Sequence, residues 1–321
     1  MSEPAPLLTT LLVSFNTRDL LTPCLDALAV ARAPLGESPV IVIDNASADG
    51  SAEYLEKNHP EIRLIRSGKN LGFGRANNLG LPEVRSKYLL LLNTDAFVPP
   101  EALEKTVAFM EDTPDCGILG VRLVGREGDL QPSCRYFPTP YNTFLSRSGL
   151  ARWLPSTQMV DDMAWAHDAV RECDWVPGCY YLVRRKMIDQ VGLFDPRYFL
   201  YYEEVDHCFA AKAANYKVMY YHHVSVVHIG GESAKSLGTI NKSGRQVETL
   251  QIESAQIYFR KQFGLAGLLR HLFLEELAEL VLVAKAVLNQ GKWGNIGYHL
   301  RRMGGTIAIA RRTRLGLQAT R

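Results

Sequence analysis

The chain lacks several features that would have pointed elsewhere. Its six cysteines include no Cys-x-x-Cys pair, which removes the usual signatures of a zinc ribbon or a thiol redox motif. It has neither a P-loop nor a Gly-x-Gly-x-x-Gly dinucleotide fingerprint. Strong charge of one sign is also missing: the formal net charge is +2, too small to make nucleic acid the main partner. Met1 to Pro6 is polar and without a basic region, unlike a signal peptide. The cysteines are therefore expected to be reduced and the compartment cytoplasmic. The most apolar stretch, Leu265 to Leu288, is broken by Arg270, His271, Glu275, Glu276, Glu279 and Lys285. A spanning helix needs ~20 predominantly apolar residues, so a packed helix is expected instead. One further absence is local. From Gly291 to Arg321 there is no acid, while Lys292, Arg301, Arg302, Arg311, Arg312, Arg314 and Arg321 are all cationic.

What is present is a chain of 321 residues with strand-like and helix-like segments in alternation. Apolar or β-branched runs at Thr9–Phe15, Val40–Ile43, Ile62–Arg66 and Tyr88–Leu92 alternate with helical spacing at Leu20–Ala31, Ala52–Lys57 and Ala76–Val84. That alternation predicts right-handed βαβ units around a parallel sheet. The Tyr88-Leu-Leu-Leu-Leu run reads as a strand buried on both faces. Further strands are expected at Gly117–Val124, Tyr180–Val183 and Val224–Val227, with an aperiodic loop over Arg135–Asp174.

Two of these strands stop on acidic loops, the second at Asp44-Asn45 and the fourth at Asn93-Thr94-Asp95. In open α/β sheets ligands bind beyond the carboxyl ends of the strands. Asp44 can accept from the imide N–H of a uracil or thymine ring, and Asp95 can hold a metal against a diphosphate. Asp44 serves equally well in an Asx-turn, and Asp95 as a helix cap. Asn70-Leu71-Gly72-Phe73-Gly74 lets backbone approach a ligand closely, and Asn77-Asn78 place amides on the next helical turn. A second acidic centre is Glu203, Glu204 and Asp206, three carboxylates crowded at the start of a helix. The helix dipole favours anions there, yet so many exceed what capping needs. His228 closes a late strand; a lone histidine in such a place is more often structural.

Together these residues resemble family 2 glycosyltransferases of the GT-A fold. The matching pieces are Val13-Ser14-Phe15-Asn16, Val42-Ile43-Asp44-Asn45-Ala46-Ser47, Asn70 to Gly74 with Ala76-Asn77-Asn78, Leu92-Asn93-Thr94-Asp95, Gly192-Leu193-Phe194-Asp195, Tyr202-Glu203-Glu204-Val205-Asp206 and His228. The likeness spans Leu8 to Ser233 and is greatest to rhamnosyltransferase-like members of O-antigen and cell-wall glycan synthesis. It implies a Rossmann-like, mixed but mainly parallel sheet flanked by helices, with a helical extension. The expected domains are a GT-A domain over 1–240, divided near 125 into nucleotide-binding and acceptor-binding halves, and a basic helical extension over 241–321.

The resemblance also implies roles. Ser14, Asn16, Asp44, Asn45, Ser47, Asn70, Gly72, Phe73, Asn77, Asn93 and Thr94 fall where the family binds its nucleotide. Asp95 and His228 fall at the metal, implied to be Mg2+ or Mn2+. Glu204 falls at the catalytic base, with Glu203 and Asp206 in reserve, and Trp175 and Gly178 at the acceptor wall. Two departures stand out: Asn93 replaces the first acid of Asp-x-Asp, and the base is glutamate where many relatives carry aspartate. The implied reaction is inverting transfer of a sugar, L-rhamnose foremost, from a dTDP- or UDP-sugar to a glycan or polyprenyl-diphosphate-linked hydroxyl. A sugar nucleotidyltransferase and a non-catalytic nucleotide-sugar scaffold are the competing readings. The first would carry a basic glycine-rich loop where Ser14-Phe15-Asn16-Thr17-Arg18 stands. The basic tail, with a stripe of Leu268, Leu269, Leu272, Phe273 and Leu277, is expected to meet an anionic membrane surface at the inner face of the cell membrane. A homodimer is the competing use of that stripe.

Overall fold

The computed structural model describes residues 5–230, 245–288 and 295–321. The expected boundary at 240, the Gly231–Ser233 end of the family-like stretch and Lys292 of the basic tail lie outside the described residues. The chain divides into two compact units. One comprises Met1–Arg135, Met163–Pro196 and Glu203–Ser243; the other comprises Tyr136–Asp162, Arg197–Tyr202 and Gly244–Arg321.

The first unit is built on a ten-stranded sheet. Strands β1 (Leu8–Ser14), β2 (Val40–Asp44), β3 (Arg63–Arg66) and β4 (Tyr88–Asn93) follow one another through helices α1 (Arg18–Arg32), α2 (Ser51–Asn58) and α3 (Phe73–Gly80). β1 pairs in parallel with both β2 and β4, and β2 with β3. The central strand β4 is buried from Tyr88 through Leu92, as a strand covered on both faces must be. Beyond it the chain forms β5 (Ala96–Phe97), α4 (Ala102–Asp112), β6 (Cys116–Val124) and β7 (Leu130–Gln131). Then come β8 (Arg171–Cys173), β9 (Tyr180–Arg184), α6 (Arg185–Val191), α7 (Glu203–Ala213) and β10 (Lys217–His228). The order β3-β2-β1-β4-β9-β6-β10-β5, with β9 antiparallel to both neighbours, makes the sheet mixed. The expected α/β architecture with a mainly parallel sheet is the one observed.

Two local expectations change. β10 starts at Lys217 rather than near Val224. Its middle, Tyr220-Tyr221-His222-His223, runs from buried Tyr220 through half-buried Tyr221 and His222 to exposed His223 and is aromatic rather than an apolar run, and the ladder slips between Tyr221 and Ser225. Within the expected loop over Arg135–Asp174 lies a helix, α5 (Pro140–Ser148). Thr139 caps it: its hydroxyl accepts from the Asn142 amide at 3.1 Å, and the Asn142 side chain accepts from the Thr139 amide at 2.8 Å.

Buried Arg184 ties α4 to the sheet. Its guanidinium donates to the carbonyls of Cys116, Met110 and Thr113 and to the Tyr88 hydroxyl, at 2.7 to 3.1 Å. Two of those carbonyls lie at the end of α4, where helix geometry leaves acceptors unpaired.

The second unit packs α5 with α8 (Arg245–Leu288) and α9 (Ile296–Arg312); α8 bends at Gly264, whose φ of 67° breaks the helix. Its centre is ionic. Glu279, almost wholly buried, accepts from Arg147 Nε at 2.7 Å, Arg302 Nη1 at 2.8 Å and His299 Nδ1 at 2.6 Å. Arg302 also reaches Glu248 at 2.7 Å and Glu275 at 3.0 Å. One expected free cation of the basic tail is thus an internal clamp. The expected stripe splits as well, because Leu268 is fully buried whereas Leu269 and Phe273 are 50 % and 67 % exposed.

Burial alone would lift the Glu279 pKa, but the hydrogen bonds from Arg147 and His299 and the charge of Arg302 hold it below its ordinary 4.5. A depressed folded pKa gives stability that is full above the unfolded value and is lost as pH falls through the folded one. Glu279→Gln should therefore cost about 3 kcal/mol at pH 7, and the gap to wild type should close as pH falls below 4.5. Urea unfolding followed by far-ultraviolet circular dichroism across that range measures it.

Candidate active site

The ladder sets three strand ends at one edge: Ser14 of β1 lies beside Asp44 of β2, and Val13 beside Asn93 of β4. Three loops therefore emerge side by side. Asn45 Oδ1 accepts from the Leu71 amide at 2.8 Å, and its Nδ2 donates to Asn70 Oδ1 at 3.0 Å and the Gly72 carbonyl at 3.2 Å. Those three bonds hold the 70–72 loop against the end of β2. Gly72 takes φ 80°, a conformation that glycine adopts without cost. Asn16 does similar work, its Oδ1 accepting from the Ala48 amide at 2.7 Å and its amide donating to Ser47 Oγ at 3.0 Å.

Asp44 combines the two readings offered by its sequence. One oxygen, Oδ2, accepts from the Ser47 amide at 3.2 Å, the Asx-turn. The other, Oδ1, is buried and has no hydrogen-bond partner among the described residues. An unmet buried acceptor costs ~1–3 kcal/mol, so the pattern suits a ligand N–H at that position. Other expected nucleotide residues face inward. Ser14 and Thr94 hydroxyls both meet Thr17 Oγ1, at 3.1 and 3.0 Å, in a buried chain. Buried Asn77 donates to the Phe73 carbonyl at 3.0 Å within α3. Asn93 is half-buried, with its amide on the Cys179 carbonyl at 3.0 Å.

Asp95 and His228, distant in sequence, meet through β5 and β10, which pair His228 with Ala96. His228 Nε2 stands 3.5 Å from Asp95 Oδ1. The Asp95 carbonyl and carboxylate also accept from the amides of Ile229 at 3.0 Å and Gly230 at 3.2 Å. Burial disfavours charge on both, but it is outweighed. Hydrogen bonds to Asp95 and to the Cys179 thiol push the His228 pKa up to about 10, and the His228 contact holds Asp95 below its ordinary range. A carboxylate and an imidazole make a donor set suited to Mg2+ or Mn2+. Among the described residues no group of three or more His, Cys, Asp or Glu stands ready as a complete cage. A cation here would need oxygens from its ligand, as a diphosphate supplies.

The three acids of α7 separate by burial. Glu203 and Asp206 are buried, with Glu203 packed near Gly74, whereas Glu204 is half-buried. Glu204 Oε2 has no hydrogen-bond partner among the described residues. Burial raises its pKa above 4.5, opposed by the amides of Glu204 and Gly178 and by the charge of Arg135. Gly178 lies against the Phe73 ring, where an added Cβ would come within 3.1 Å of a ring carbon. Trp175 is buried, with the Arg135 guanidinium 4.0 Å above its ring. Phe73, Gly178, Arg135 and Glu204 are thereby brought together.

Gln131, Arg135 and Cys179 were not visible as site residues from the sequence. They sit in Leu130-Gln131-Pro132-Ser133-Cys134-Arg135 and Gly178-Cys179, stretches without period or recurring acids. The only signal is position: Gln131 follows the Gly125–Asp129 turn, and Cys179 immediately precedes the strand that starts at Tyr180.

Residues 9–166 match the model of glycosyl transferase family 2. The chain is 29% identical over 189 residues to an N-acetylglucosaminyl-diphospho-decaprenol L-rhamnosyltransferase of Mycobacterium tuberculosis, covering 53% of this chain and 60% of that one. It is 26% identical over 197 residues to the low-salt glycan biosynthesis hexosyltransferase Agl10 of Haloferax volcanii, covering 60% and 59%. The chain thus spans about 60% of the length of these curated relatives. Among solved structures it is similar in fold to the mannosyltransferase PcManGT from Pyrobaculum calidifontis in complex with GDP-Man and Mn2+. That likeness has a TM-score of 0.56 at 16% identity, over 98% of this chain and 88% of that one. TarS 1-349 of S. aureus gives a TM-score of 0.51 at 14% identity, over 97% and 92%.

Asp44→Ala should weaken binding of a pyrimidine nucleotide by about 10–100-fold, the worth of one charged hydrogen bond. Calorimetric titration with UDP and GDP checks this. The UDP affinity should fall and the GDP affinity should not.

Proposed function

We propose that this chain, whose residues 9–166 match glycosyl transferase family 2, carries out an inverting, metal-dependent transfer of a sugar from a nucleotide diphosphate to an acceptor hydroxyl. The observation that carries the reading is Glu204, the one acid of the α7 cluster that is half-buried rather than fully buried, with a shielded oxygen lacking a partner among the described residues. A positioned base must reach the acceptor hydroxyl and be ionised at the operating pH. Glu204 takes the proton from that hydroxyl as its oxygen attacks the anomeric carbon from the face opposite the leaving diphosphate. Arg135 and the Gly178 amide favour the ionised form against burial. Asp44 Oδ1 accepts the imide N–H of the base, favouring uridine or thymidine diphosphate sugars. Asp95 and His228 would hold Mg2+ or Mn2+, which supplies neutralisation of charge growing on the departing diphosphate.

The donor sugar proposed is L-rhamnose, and the acceptor a glycan or polyprenyl-diphosphate-linked sugar; the relative from Mycobacterium tuberculosis supports both. A lipid-linked acceptor also motivates a peripheral placement at the inner face of the cell membrane. No helix among the described residues is long and apolar enough to cross a membrane. Along α8, Leu265, Leu269, Phe273, Leu280 and Val287 are exposed at spacings of four or seven residues, one face of a helix. Arg301, Arg311, Arg312, Arg314 and Arg321 are exposed in the acid-free tail. Each cation near an anionic leaflet is worth about 1 kcal/mol.

Glu204→Gln should lower kcat by ~10²–10⁴-fold with little change in nucleotide affinity. Because burial lifts the Glu204 pKa, the acid limb of the wild-type kcat profile should lie above 4.5. Nucleotide release from dTDP-rhamnose and UDP-hexoses, with and without Mn2+, tests donor and metal together. Wild-type turnover in the Gln variant would remove Glu204 from the role.

Membrane attachment is read by flotation with vesicles of anionic lipid. The full chain should float at low salt and less so near 1 M, where the Debye length is ~3 Å. Leu269→Asp with Phe273→Asp should abolish flotation. Loss of a dimer without loss of flotation would assign the face to a second copy.

A further inference from the structure

Gln131 grips His228 at two points. Its Nε2 donates to the His228 main-chain carbonyl at 2.8 Å, and its Oε1 stands 3.0 Å from His228 Nδ1. The network decides which way round the amide lies. A backbone carbonyl can only accept, so the amide nitrogen must face it and the amide oxygen must face the ring. That oxygen can only accept, so Nδ1 must carry a hydrogen. In the neutral ring the lone pair then belongs to Nε2, the nitrogen facing Asp95 at 3.5 Å.

The grip comes from backbone held in place. After β6 the chain turns through Gly125 to Asp129: the Gly125 amide donates to the Asp129 carbonyl at 2.7 Å, and the Gly128 amide to the Gly125 carbonyl at 3.0 Å. Gly128 takes φ 84°. The returning strand β7 pairs Gln131 with Leu123, on the β6 strand that β10 also pairs with near His228. Ser133 reinforces the turn, its hydroxyl accepting from the Leu123 amide at 3.3 Å and donating to the Gln131 carbonyl at 3.0 Å.

We propose that Gln131 is a positioning residue that fixes His228 with its hydrogen on Nδ1 and presents Nε2 to a divalent cation beside Asp95. The inference rests on the metal reading above. Metal-ligating histidines generally donate their other ring N–H to an acceptor, and losing that acceptor weakens metal binding ~10–100-fold. A side-chain amide in this place leaves the imidazole neutral when the cation binds, and its second bond ties the ring to the end of β10. A residue serving only as a structural strap would act through the carbonyl bond and leave metal affinity unchanged.

The two roles separate in the full chain by binding of Mn2+ in the presence of UDP, read from the electron paramagnetic resonance signal of free Mn2+. Gln131→Leu, which removes both bonds, should weaken Mn2+ binding ~10–100-fold. Gln131→Glu keeps an acceptor for Nδ1 but loses the donor to the carbonyl, and should bind Mn2+ near the wild-type level. Asp95→Ala should lose binding outright. If the leucine variant melts below the assay temperature, Gln131→Met carries the same comparison in a side chain of closer shape. Equal Mn2+ affinity in the wild type and the leucine or methionine variant overturns the inference, as does equal weakening in the glutamate variant. A wild-type chain that leaves the Mn2+ signal unchanged, like Asp95→Ala, overturns the metal reading itself.

Discussion

The constraint on which the first unit depends is the shortness of the link between β4 and β5. Only Thr94 and Asp95 separate them, yet β9, β6 and β10 lie between them in the sheet. Laid flat, four strand spacings would put them about 19 Å apart. The three peptide steps from Asn93 to Ala96 reach about 11 Å. The sheet must therefore curl, and the curl closes around Asp95. Because β10 pairs with β5 at this closure, His228 arrives beside Asp95 although 132 residues separate the two in sequence. The antiparallel setting of β9 matters equally, since Leu92 pairs with Tyr180 and the start of β9 falls where β4 ends. Gly178 and Cys179 are carried to the same edge.

Buried charge is handled in contrasting ways. Arg184 and Glu279 are saturated with partners, four acceptors for the first and three donors for the second. Such groups lock elements together and have nothing left to offer a ligand. Asp44 and Glu204 each keep a shielded oxygen without a partner among the described residues. Left unmet, such oxygens are costly, which is why they mark places where a ligand completes the structure. The criterion works only with location. Glu276 in the helical unit also has both oxygens shielded and unpartnered among the described residues, with burial raising its pKa, and it lies on no strand end.

Much of the architecture was legible because it is written in periodicity. The leucines of β4 and the alternation of strand and helix up to Asp95 depend on local patterning, and those elements stand within a few residues of where the pattern puts them. Legibility fell where burial is partial. The middle of β10 is rich in tyrosine and histidine, and its packing comes from neighbouring strands rather than from an apolar run. α5 was hidden because nine residues of Pro-Tyr-Asn-Thr-Phe-Leu-Ser-Arg-Ser give few apolar repeats, while Thr139 and Asn142 supply the cap that starts it. The stripe on α8 was drawn too wide, with Leu268 buried at one edge of it, since a single sequence does not say how much of an amphipathic helix its neighbours cover.

The residue types themselves determined the chemistry on offer: acids at the ends of β2 and β4, a glycine-bearing loop between them, three carboxylates opening α7, and a tail of cations without acids. Those are properties of composition and local spacing, so they survive without coordinates. Only the tertiary structure decided which of these groups meet and which oxygens stay open. It set His228 against Asp95, gave Gln131 both ends of His228, buried Glu203 and Asp206 while leaving Glu204 half-covered, and turned Arg302 from a tail charge into an internal clamp. Each of these depends on strand order and sheet curl, or on helix packing. Such long-range pairings join residues whose separation along the chain carries no trace of their distance in space.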